Sequence, residues 1–183
     1  ESAADIQLTE DGGYIVCGHA LYRDTYTTQD RDIWLIKLAT DGSVQWTRTL
    51  GTSQSERAKS IAVTSDQGFI ITGSGFGGLA LLKTDSEGNE EWNQGFITPG
   101  GWNVGNSVKQ TLDGGFIITG RARPEDGGSF YLYLIRTDEA GNELWSHTFG
   151  GEEDDEGFDV IQTSDGGFAI TGETWSFEGD YSK

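Results

Sequence analysis

The chain has 183 residues with 28 glycines, two prolines and one cysteine, and its 30 acidic against 12 basic residues give a formal charge of -18. That charge repels phosphate backbones and anionic membrane surfaces, which argues against nucleic acid as a partner, and a single cysteine excludes a disulfide within the chain. No apolar run approaches the roughly 20 residues that cross a bilayer as a helix, so membrane insertion is not expected.

Taken from the N-terminus, residues 6–18 (Ile-Gln-Leu-Thr-Glu-Asp-Gly-Gly-Tyr-Ile-Val-Cys-Gly) read as two β-rich runs around a tight turn at Asp11-Gly12. Residues 33–46 follow as a second pair around Asp41-Gly42, the last residue being Trp46. The first module returns at 61–73, 108–120 and 160–172, and the second at 79–92 and 131–145. Each full repeat therefore holds four strands, A to D, and the last copy supplies only A and B before the eleven residues that follow Gly172. Asp11, Asp66, Asp113 and Asp165 recur at intervals of 47 to 55 residues, which matches four-stranded propeller blades of about 40 to 50 residues. Runs such as Phe116-Ile117-Ile118 are apolar at successive positions, so both faces of each sheet are expected to be covered.

The expected fold is all-β: a β-propeller of four-stranded antiparallel blades, about three and a half of them present as part of a larger propeller. Blade 1 spans about 3–51, blade 2 about 58–97, blade 3 about 105–150 and half blade 4 about 157–183. The Asp-Gly-Gly-Phe-Ile-Ile-Thr-Gly run, the Trp-Leu-Ile-Lys strand and the Gly-Asn-x-x-Trp turn together resemble a propeller-repeat family of secreted bacterial and archaeal proteins, variously described as Kelch-like or quinone-dehydrogenase-like. The resemblance implies a propeller in an extracellular or cell-surface setting and brings no catalytic residues with it. The blades missing from the chain are expected from the rest of a longer polypeptide, from self-association or from a partner.

The single-residue candidates divide into packing and binding. Cys17 stands where the other copies have Thr72, Thr119 and Thr171, and reads as a small buried substitute. Trp46, Trp92 and Trp145 share one position of strand D and read as packing between blades. His19 and His147 have no nucleophile in a recognisable motif, so neither a triad nor a histidine zinc site is expected. The A–B and C–D turns are nearly identical between copies, whereas the B–C and D–A connections differ in length and composition. Binding is therefore expected on that variable edge, at Tyr22, Tyr26, Arg57, Trp102, Arg121, Arg123 and Trp175, with a protein or a glycan as ligand. The acidic run offers Glu152, Glu153, Asp154, Asp155 and Asp159 as candidate calcium ligands, against the alternative of a solvated loop. The competing functional class is a propeller enzyme acting on polysaccharide or holding a quinone, with carboxylates drawn from Asp154, Asp155 and Glu173.

Overall fold

The computed structural model describes residues 1–22, 30–98 and 100–176, with Tyr22 and Asp30 described by their backbone alone. These residues form fourteen strands and no helix. Sheet 1 holds β1 (Ser2–Leu8), β2 (Tyr14–Tyr22), β3 (Asp30–Leu38) and β4 (Val44–Leu50). Sheet 2 holds β5 (Arg57–Val63), β6 (Phe69–Gly75), β7 (Gly78–Thr84) and β8 (Glu90–Phe96). Sheet 3 holds β9 (Val104–Gln110), β10 (Phe116–Ala122), β11 (Tyr131–Thr137) and β12 (Glu143–Phe149). Sheet 4 holds β13 (Asp155–Gln162) and β14 (Phe168–Thr174). Every sheet is antiparallel with its strands in chain order, as four short runs joined by hairpin turns require.

The sheets stack face to face, because each carries apolar side chains on both faces. The first core joins Ile15, Cys17, Ile33 and Leu35 of sheet 1 to Ile61, Phe69, Ile71 and Leu82 of sheet 2. The second joins Ile70, Leu79 and Leu81 of sheet 2 to Val108, Phe116, Ile118 and Ile135 of sheet 3. The third sets Ile117 and Leu134 against Val160, Phe168 and Ile170. The strand-D tryptophans are the seam between neighbours: Trp46 lies 6.2 Å from Phe69, Trp92 5.9 Å from Phe116 and Trp145 5.9 Å from Phe168, ring centre to ring centre. Cys17 is fully buried in the first core, and burial pushes its thiol up to about 12, so it stays protonated and unreactive near neutral pH.

Strand A is bulged at one place in every sheet, at Ala4, Lys59, Asn106 and Phe158. The bulge turns the carbonyl before it toward strand B, opposite Gly18, Gly73, Gly120 and Gly172. A Cβ at any of the four would overlap that carbonyl oxygen. This steric demand accounts for the recurrent Gly that closes each A–B module.

The A–B turns carry a second repeated device. Thr9 Oγ1 and Gly13 N–H donate to Asp11 Oδ1, and the ammonium of Lys37 on strand C reaches across strand B to Asp11 Oδ2 at 2.8 Å. Lys83 makes the same pair with Asp66 at 2.9 Å and adds Glu91 at 3.0 Å, while Arg136 pairs with Asp113. The cations themselves are almost wholly buried. In this turn Gln67 adopts φ 66°, the left-handed conformation that Gly12, Gly114 and Gly166 occupy in the other copies.

These pairs have a pH signature. Burial of Asp66 works against its ionisation, but the hydrogen bonds from Lys83, Thr64 and Gly68 outweigh it and lower its pKa to about 2. An unfolded aspartate titrates near 3.9, so the folded state binds fewer protons than the unfolded state between these values. The stabilisation is complete above about pH 4 and is lost as pH falls toward the folded value. The melting temperature is expected to fall across that interval. Asp66→Asn should melt lower at pH 7 and show a shallower acid-side fall, and thermal melts from pH 7 to pH 2 check both.

Candidate functional site: the loop edge

Up-and-down strands place the A–B and C–D turns at one edge of the sheets, and the B–C and D–A connections at the other. At the turn edge the cations Lys37, Lys83 and Arg136 are committed to the fold. A groove of about 480 Å³ between sheets 1 and 2 opens there, lined by Asp11, Lys37, Trp46, Phe69 and Glu87 among others. Its ammonium is held by Asp11, by the Leu38 carbonyl and by Gln45.

At the loop edge, the D–A connections are pinned by one side chain each. Glu56 is fully buried and accepts hydrogen bonds from Thr52 N–H and Oγ1. Asn103 receives Thr98 Oγ1 and donates to the Phe96 carbonyl. Asp155 accepts from Gly151 N–H at 3.0 Å and Ser176 Oγ at 2.6 Å. Burial raises the pKa of Asp155, but the Ser176 and Thr174 hydroxyls and the Gly151 N–H outweigh it, so the carboxyl ends below its ordinary range. Three different residues thus serve as the polar pin of one connection, and identity of sequence could not reveal them.

Five of the seven residues expected to bind ligand have described side chains. Tyr26 lies outside the described residues, and Tyr22 enters only through its backbone at the end of β2. Strands β2 and β3 run further than the repeat pattern implied, taking in His19, Ala20, Leu21 and Arg31. Arg57 opens β5 and is exposed. Arg121 sits inside β10, not in a loop. Its guanidinium donates to Glu156 Oε2 at 3.0 Å and lies 4.4 Å from the centre of the Phe130 ring. Arg123 covers the same ring at 5.3 Å and donates through Nε to the Gly128 carbonyl.

Phe130 was not among the expected residues, and it organises this part of the edge. Its N–H donates to Asp154 Oδ1 at 2.8 Å, its carbonyl accepts the Asp155 N–H, and Asp154 in turn receives the Trp175 N–H on its own carbonyl. Arg121, Arg123, Phe130, Asp154 and Trp175 are therefore one connected group. Behind it a polar chain crosses the first strands of three sheets: Lys59 donates to Asn106 Oδ1, and Asn106 donates to Glu156 Oε1, each at 2.7 Å. Trp102 belongs to the neighbouring D–A connection and stands 70% exposed, with Trp175 at 68%.

The five acidic residues expected together are turned to different places. Asp155 points into its connection and Asp154 to Phe130, whereas Asp159 accepts from Ser107 Oγ at 2.6 Å and lies 3.8 Å from Lys109 on sheet 3. Glu152 and Glu153 are exposed, and Glu153 is tied to Ser176 through its backbone. Among the described residues no three of His, Cys, Asp and Glu converge as metal ligands. No protein-family model matches the sequence, and no curated protein matches it.

Proposed function

We propose that the sheets are consecutive blades of a β-propeller, that the protein works outside the cell or at its surface, and that its loop edge binds a glycan without catalysis. The observation that carries the reading is the pair of exposed tryptophans, Trp102 and Trp175, on the same edge as the Arg121–Phe130–Arg123 stack. Indole faces stack on the C–H faces of sugar rings, and guanidinium groups donate to hydroxyl or carboxylate oxygens in fixed directions. The arginines of this edge supply hydrogen-bond donors for the hydroxyl or carboxylate oxygens of a ligand. Arg57, Arg121 and Arg123 lie at the loop edge of a chain whose net charge is -18, while Lys37, Lys83 and Arg136 are spent on the turns.

The supporting frame is rigid where it needs to be. Arg121 is held by Glu156, and Glu156 by Asn106, so the guanidinium is oriented before any ligand arrives. Binding of the chain to an immobilised panel of neutral and uronate-containing oligosaccharides tests the reading. Saturable binding, weakened by Arg123→Ala, is the expected result. A chain that binds none of the panel, or that binds and converts a member to new reducing or unsaturated ends, would remove it.

A further inference from the structure

Three of the four A–B turns hold a cation delivered by strand C. Lys37 is paired in register with Ile15, Lys83 with Ile70 and Arg136 with Ile117. Each of these partners lies four residues after the turn aspartate, Asp11, Asp66 or Asp113. Gly13, Gly68 and Gly115 leave room for that delivery: a Cβ there would run into the strand-C carbonyl and into the Lys37, Lys83 or Arg136 nitrogens.

The fourth turn is built in the same way. Thr163 Oγ1 and Gly167 N–H donate to Asp165 Oδ1, and the Thr163 N–H closes the turn on the Gly167 carbonyl at 2.9 Å. Yet a Cβ on Gly167 would meet only Thr163 and Asp165 of its own turn. Among the described residues Asp165 has no ion pair, and β14 is paired with a strand on one side only. Among the described residues, nothing enters at this turn the space that a cation fills in the other three.

From this repeated geometry we infer that the edge of β14 away from β13 is a docking site for a β-hairpin: a strand antiparallel to β14 that sets a Lys or Arg opposite Ala169, so that its cation enters the Asp165–Gly167 turn. Main-chain pairing along β14 supplies the affinity, as in other strand additions, and the buried cation fixes the register, because a slip by one residue would turn it to the opposite face. The hairpin is of the kind that residues 131–149 of this chain already form, with Arg136 as the cation. The inference rests on strand pairing at the turn edge and stands apart from the loop-edge reading.

The probe is a synthetic peptide with the sequence of residues 131–149, titrated by fluorescence anisotropy against the 183-residue chain. Saturable one-to-one binding is expected, weakened about tenfold or more by Arg136→Glu in the peptide or Asp165→Asn in the chain, as loss of the partner of a buried cation implies. The peptide variant cannot disturb folding of the chain, so the result is decisive even if Asp165→Asn is unstable. Absence of binding would overturn the inference, as would binding indifferent to both substitutions. Light scattering that shows a dimer which the peptide cannot dissociate would assign the edge to a second copy and overturn it equally.

Discussion

Alanine at Gly73 is expected to cost about 3 kcal/mol or more, a large share of the roughly 5–15 kcal/mol that holds a domain folded. The reason is local and geometric. The bulge at Lys59 aims the Arg57 carbonyl at Gly73, and a Cβ there overlaps the oxygen within a sheet that is buried on both faces. Neither strand can withdraw: Ala58 and Ile61 of β5 are packed in the first core, and Thr72 beside Gly73 is bonded to the Ala80 carbonyl on β7. Gly127→Ala is the matched control. Its φ is +74° with nothing within 4 Å of the added Cβ, so only the left-handed backbone penalty of about 1 kcal/mol applies. Urea unfolding of the two variants side by side separates overlap from backbone preference.

The second large effect is expected at Trp92, where alanine should cost about 3 kcal/mol, the low end for a large aromatic because the indole is only half-buried. The indole of sheet 2 is covered by two parts of sheet 3. Its ring meets Phe116 at 5.9 Å, and the β11–β12 turn rests so close that a Cβ on Gly141 would stand 2.6 Å from it. Trp46 is covered in the same way by Phe69 and the turn at Gly88. Removing the ring therefore weakens an interface between repeats as well as one sheet. Trp92→Phe should lose less, and a broadened or two-step thermal transition in Trp92→Ala would show that sheets 1 and 2 have been uncoupled from sheet 3.

The repeat made much of the fold legible. Turn residues and the alternation of modules fixed the strands and their antiparallel order, because a hairpin turn and the apolar runs beside it are local signals. The tryptophans were readable for the same reason, standing at one register in three copies. The cation of strand C was visible as the end of an apolar run, but its partner was not. Lys37 and Asp11 are 26 residues apart and Lys83 and Asp66 17, joined only by the pairing of strands B and C.

The loop edge was less legible. Glu56, Asn103 and Asp155 do one job with three different side chains, so the repeat did not mark them, and Asp155 was read as one member of an acidic cluster. Strand β13 begins at Asp155 and separates that cluster, sending Asp159 toward Ser107 on the neighbouring sheet. Arg121 was expected in a loop and lies in a strand, but it reaches the same edge because its side chain turns to Phe130 and Glu156. Phe130 itself falls in a connection of unique sequence, where no second copy could point to it.

The division of labour between the two edges is tested most directly by the oligosaccharide affinity of a Trp102→Ala, Trp175→Ala double variant, measured with its thermal melt. Both indoles are exposed and outside the three cores, so the melting temperature should stay that of the parent chain. Affinity should fall by about tenfold or more, as expected when aromatic anchors are removed from a binding surface. Affinity that survives the double substitution, or a melt that drops with it, would contradict the assignment of the loop edge to binding.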